Sequence, residues 1–78
     1  MVYEKVTAFI SEQFNLDEDE VVEDMTFEEL GAEEFDIAEL AAALEGEFDI
    51  KLGDDEITDL HDVAGLVKLV STAVELSK

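Results

Sequence analysis

Carboxylates are the chemistry this chain has in quantity, and a notable group of them surrounds Glu34 in the segment Gly31-Ala32-Glu33-Glu34-Phe35-Asp36. The segment reads as a turn at Gly31 that opens a helix beneath a cluster of acids. Negative charge there complements the partial positive charge of a helix N-terminus. Two other acidic runs, Asp17-Glu18-Asp19-Glu20 and Asp54-Asp55-Glu56, would attract calcium or magnesium loosely by charge neutralisation. Neither has the EF-hand spacing, with its glycine at the sixth loop position and glutamate at the twelfth, so no metal site is assigned. His61 is the only histidine, and no serine or cysteine is placed to pair with it. Ser11, Ser71 and Ser77 lie far from the Gly31–Asp36 segment, and Thr26 lies several residues upstream of it. None of the carboxylates sits in the apolar sequence context that acid–base catalysis uses. No catalytic residue is assigned, and the chain is not read as an enzyme.

Helices must position these groups, and the apolar spacing predicts where. Ile37, Leu40, Ala41, Leu44 and Phe48 follow the period of one helix face, with Asp36, Glu39, Ala43 and Glu47 on the other side. That helix is expected over Phe35 to Phe48, with Gly46 marking a frayed last turn. A glycine there costs about 1 kcal/mol relative to alanine. A first helix is expected over Val2 to Phe14, burying Val2, Val6, Phe9, Ile10 and Phe14 and stopping at a left-handed Asn15. Residues 15–33 read as a long connection, a length that is unusual in so small a domain. Its apolar residues Leu16, Val21, Met25, Phe27 and Leu30 would pin it across the helix ends. Thr26-Phe27-Glu28-Glu29 fits a capping box, which predicts one helical turn before Gly31. A short helix is expected around Asp54 to Leu60, and a last one from about Asp62 to Leu76, begun by Asp62 or His61, of which Asp62 is the better N-cap type. Val63, Leu66, Val67, Val70 and Val74 would form the core stripe of that last helix, widened by Leu69, Ala73 and Leu76. The expected fold is all-α: a small four-helix bundle of three longer helices and one short, with a long first loop, in a single domain over residues 1–78.

Charge narrows the class of partner. The 78 residues include 23 acidic and 4 basic ones, for a formal net charge of −19. That disfavours nucleic-acid phosphates and anionic lipid head groups, and it favours proteins with basic patches, whose encounter rate it raises. High charge is also a mark of disorder, but 47% of the residues are hydrophobic and they are periodic, so a folded, self-repelling domain is expected. Added salt, divalent cations or mild acidification should then raise its melting temperature. With no cysteine, neither disulfides nor thiolate zinc sites are available. No run reaches the roughly 18 apolar residues of a membrane span, and no signal pattern opens the chain. A cytoplasmic monomer is expected.

Gly31-Ala32-Glu33-Glu34-Phe35-Asp36, followed by Glu39-Leu40, the alanine run and Glu47-Phe48-Asp49, resembles the acyl carrier protein family. The family pattern here is Gly-Ala-Asp-Ser-Leu-Asp, then Glu-Leu and an acidic helix ending near Glu-Phe-Asp. Glu12-Gln13-Phe14, Val21-Val22, Thr26-Phe27 and the Asp-Asp-Glu run after Gly53 have family counterparts in the same order. The likeness covers nearly the whole chain, with a slightly shorter loop before Leu30. The resemblance implies a 4′-phosphopantetheine arm, installed from coenzyme A by a transferase on the serine of that pattern. Aligned on Gly31, Ala32 and Asp36, the serine position is Glu34. A hydroxyl can attack phosphorus and hold a stable phosphodiester, whereas a carboxylate gives a mixed anhydride that water cleaves. The arm is therefore not expected here, and Glu34 supplies only a crude imitation of the phosphate's charge.

The resemblance also implies a surface read by arginine and lysine patches on acyl-carrier-dependent enzymes. Its candidate residues are Glu33, Asp36, Ala38, Glu39, Ala42, Glu45 and Glu47. Ala38 and Ala42 stand where the family tends to present larger apolar side chains, and Gly46 replaces a frequent acid, which implies a weaker or different partner set. Three functions follow as expectations: a non-carrier interaction or regulatory module of fatty-acid or polyketide type acyl metabolism; a genuine acyl carrier whose serine has been replaced by Glu34; or an acidic decoy for a basic protein.

Overall fold

The computed structural model describes residues 2–77, and the expected helices are all present. Helix α1, Val2–Phe14, ends where expected: Asn15 takes φ 57°, and the Leu16 amide donates to the Ser11 carbonyl at 2.8 Å. Its apolar stripe is narrower than the spacing predicts. Val6 and Ile10 are fully buried, while Val2, Phe9 and Phe14 pack at the rim of the core. The balance is made by Thr7 and Ser11, which are buried too. Their hydroxyls donate to the carbonyls of Glu4 and Ala8, at 3.0 and 2.8 Å, so neither brings an unpaired polar group inside.

The connection after α1 is not a free loop. Glu18–Glu20 forms a 3-10 turn, and α2, Phe27–Leu30, supplies the one helical turn that Thr26 predicts. The Thr26 Oγ1 accepts from the Glu29 amide at 3.1 Å, and Glu29 Oε1 accepts from the Thr26 amide at 3.0 Å. Between these turns the backbone is bonded to the head of the last helix. The Phe27 amide donates to the His61 carbonyl (3.0 Å), the Val63 amide to Met25 (2.9 Å) and the Ala64 amide to Glu23 (3.0 Å). Val21 and Phe27 are buried in the core beneath this seam. The length that makes the loop improbable is thus divided into short, anchored spans.

Helix α3, Glu34–Phe48, begins one residue before the expected start. Gly46 does not fray it. The helix runs on to Phe48 and stops at Asp49, which takes the left-handed φ of 54°. Helix α4, Asp54–Thr58, is shorter than the spacing suggests, and α5 is Val63–Leu76 with Asp62 as its N-cap. The Asp62 Oδ1 accepts from the Gly65 amide at 2.8 Å. One expected core residue lies outside: Leu76, in the last turn of α5, is 81% exposed. The centre is built by three helices, with Val6 and Ile10 from α1, Leu40 and Leu44 from α3, and Val63, Leu66 and Val70 from α5, all essentially inaccessible to solvent. Among the described residues, no helix is long and apolar enough to cross a membrane.

Candidate functional site

Gly31 sets the site. It ends α2 in the left-handed conformation, φ 73° and ψ 21°, where its amide donates to Glu28 and the Ala32 amide to Phe27, at 3.0 and 2.9 Å. A side chain at Gly31 would meet nothing within 4 Å, so glycine is needed there for its backbone freedom alone. Three residues later the chain is helical again. Glu33 is the extended N-cap of α3, and Asp36 Oδ2 accepts from its amide at 2.9 Å. From the other side, Gln13 Nε2 on α1 donates to the Asp36 carbonyl at 2.8 Å. The first turn of α3 is therefore held by a glycine turn, a carboxylate and an amide side chain, and Glu34 is its first residue.

Glu34 is solvent-exposed, as are Glu33, Ala38, Glu39, Ala42 and Glu47, while Asp36 and Glu45 are half-buried. The acids assigned together to a partner surface do different work. Glu45 Oε2 accepts from the Leu52 amide at 2.7 Å, and its carbonyl accepts from the Ile50 amide at 3.1 Å, so Glu45 fastens the turn after α3. Asp36 caps the helix. Glu47 Oε2 lies 3.2 Å from Lys5 Nζ in an exposed ion pair. Among the described residues, the carboxylates of Glu33, Glu34 and Glu39 have no ion-pair partner, which leaves them available at the head of the helix.

Two features of the site escaped the sequence reading. Phe35 is 62% exposed and stands beside Glu34 as the one large apolar side chain exposed on α3, whose other exposed apolar residues are Ala38, Ala42 and Ala43. An aromatic residue at the edge of an apolar stripe gives no local sign of pointing outward. The second is a cleft between α3 and α4, lined by Glu34, Ile37, Ala38, Asp54, Ile57 and Thr58. It brings a hydroxyl to the same recess as Glu34, from a residue far away in sequence. That hydroxyl is engaged: Thr58 Oγ1 donates to the Asp54 carbonyl at 2.8 Å. His61 lends the site only a backbone carbonyl on the far seam, and among the described residues no three acidic or histidine side chains converge as metal ligands would.

The profile of the phosphopantetheine attachment site family matches residues 4–70. The chain is 38% identical over 76 residues to an acyl carrier protein of Clostridium acetobutylicum, covering 96% of this chain and 99% of that one. It is 39% identical over 70 residues to an acyl carrier protein of Sulfurovum sp., covering 88% and 93%. Among solved structures, an acyl carrier protein from Thermotoga maritima superposes with a TM-score of 0.84 at 31% identity, over 95% of this chain and 87% of that chain.

Proposed function

Because the chain belongs to the acyl carrier protein family, we propose that it acts in acyl metabolism of the fatty-acid or polyketide type as a docking or regulatory module that carries no prosthetic arm. One observation carries the reading: the residue that opens α3, where the family pattern has its serine, is the exposed carboxylate of Glu34. The residues at that helix start do not fit a phosphodiester-linked 4′-phosphopantetheine, since the linkage needs an alcohol oxygen there. Thr58 brings a hydroxyl to the cleft, but from α4 and with its proton committed to Asp54. Glu33, Glu34 and Glu39 support docking: they are open charges on a helix face of low relief, with Phe35 as an apolar contact beside them. A chain of net charge −19 draws in partners that present lysine and arginine, as acyl-carrier-dependent enzymes would. On this reading the protein is a cytoplasmic monomer and catalyses nothing itself.

The other reading is a genuine carrier whose attachment serine has been replaced by Glu34, favoured by a likeness that spans nearly the full length of the Clostridium relative. The ordered family match argues against an acidic decoy. Incubation with coenzyme A and a broad-specificity phosphopantetheinyl transferase, followed by intact mass measurement, tests the proposal. The native chain should stay unmodified, and Glu34→Ser should gain the arm. Addition to the native chain, at Thr58 or elsewhere, overturns the reading. If neither form is modified, the face of α3 has ceased to be recognised by the transferase as well.

A further inference from the structure

The cleft beside Glu34 identifies the chemistry of a partner, an inference that rests on the interaction-module reading. It measures about 290 Å³, just under the roughly 300–1,000 Å³ typical of pockets that hold drug-sized ligands. A recess of that size suits a single side chain. Its lining divides by chemistry. Ile37 and Ile57 are half-buried against the core and form an apolar wall. Ala38 leaves the space open because its side chain ends at one carbon. Glu34 and Asp54, both exposed, bring carboxylates from the first residues of α3 and α4.

A purely apolar occupant would strip water from two carboxylates without replacing it. A bare cation would leave the isoleucines unused. The lining matches an aliphatic stem that ends in a cation, which lays its methylenes on the wall and keeps its charge at the rim. Two carboxylates from different helices favour the planar, multi-donor guanidinium over the compact, strongly hydrated ammonium of lysine. We propose that this cleft is a slot for one arginine side chain of a protein partner, with Glu34 and Asp54 engaging the guanidinium. The replacement of an attachment residue by glutamate then has a positive use, since it supplies one side of the grip.

n-Propylguanidinium, the arginine side chain without its backbone, is the probe. It is titrated into the ¹⁵N-labelled protein at constant ionic strength, with guanidinium chloride and n-propylurea as controls. Saturable amide shifts are expected at Glu34, Ile37, Ala38, Ile57 and Thr58, and several-fold smaller ones with either control. Glu34→Gln combined with Asp54→Asn should weaken binding roughly tenfold, as loss of two rim charge contacts implies, with helicity by circular dichroism unchanged. Glu18→Gln with Asp19→Asn should leave binding as it was. The proposal is overturned by shifts spread evenly over the acidic segments, by an equal response to bare guanidinium, by binding that survives the Glu34/Asp54 double substitution, or by no saturable shift at all. These readouts are separate from arm attachment: a modified native chain sinks the module reading, whereas an empty slot in an unmodified chain sinks only the arginine.

Discussion

The heads of α3 and α5 are built from the same material and put to opposite uses. Each opens after an acidic residue, Glu33 in one case and Asp62 in the other. At α5 the acid turns inward on the backbone, with Asp62 Oδ1 on the Gly65 amide. The neighbouring strand of chain is bonded across from Glu23, Met25 and Phe27, and Val63 is wholly buried just inside. At α3 the structural work is moved elsewhere, to Asp36, Gln13 and Gly31. Glu33, Glu34 and Phe35 are left facing solvent. An acid at a helix start is thus neither structural nor functional by type. What decides is whether other groups have already satisfied the backbone.

That contrast can be broken by substitution, and the largest effect should come from the seam at α5. Phe27→Ala removes a buried ring where the first connection meets His61, and by the usual cost of such truncations it should destabilise the fold by about 3–5 kcal/mol in chemical denaturation. For a small domain, with total stability on the order of 5–15 kcal/mol, that brings the protein close to unfolding. A loss well under 1 kcal/mol would mean that the seam is not holding the loop.

A direct comparison of the two helix heads comes next. Asp62→Ala deletes an N-cap whose bond is formed and should cost about 1–2 kcal/mol. Glu34→Ala removes only a favourable charge in the first turn and should cost a few tenths. Equal losses in thermal melts of the two variants would erase the distinction between the two helix heads. The self-repulsion of a chain with net charge −19 sets a smaller, global effect. Raising ionic strength from about 0.01 to 0.15 M shortens the screening length from roughly 30 to 8 Å, and the melting temperature should rise by several degrees. A melting temperature indifferent to salt would contradict it. Similar in size to the Glu34→Ala loss is the Lys5–Glu47 pair between α1 and α3, whose side chains are 51% and 37% exposed. A double-mutant cycle on it should give about 0.2–1 kcal/mol of coupling. A larger value would make Glu47 a structural residue and take it off the candidate docking face.

What the sequence made legible was local. The capping box at Thr26, the stop at Asn15 and the cap at Asp62 are each written within a few neighbouring residues, and the helices fall where the apolar periods put them. The position of Glu34 at the mouth of a helix was legible for the same reason. The misses depend on contacts that form only once the chain is folded. Gly46 carried the sign of fraying, but the helix holds to its expected end at Phe48, because Glu45 collects the Ile50 and Leu52 amides that follow. The expected acidic surface divided once Asp36 capped its own helix, Glu45 bound the turn beyond the end of α3 and Glu47 paired with Lys5 on α1. Thr7 and Ser11 are buried although polar, since a helix lets each hydroxyl reach a carbonyl of the preceding turn. The cleft that unites Glu34 with Asp54 and Thr58 depends on how two helices lie against each other, which no single stretch of chain records.

The left-handed joint at Gly31 gives the molecule a form of mechanical insulation. Since α2 is closed by its own capping box and bonded to the segment that opens α5, a change of chain length is absorbed most cheaply ahead of that anchor, in the exposed span from Asp17 to Glu20. The side chain of Glu34 takes no part in the bonds of that joint, so its position can be substituted without loosening the mouth of α3.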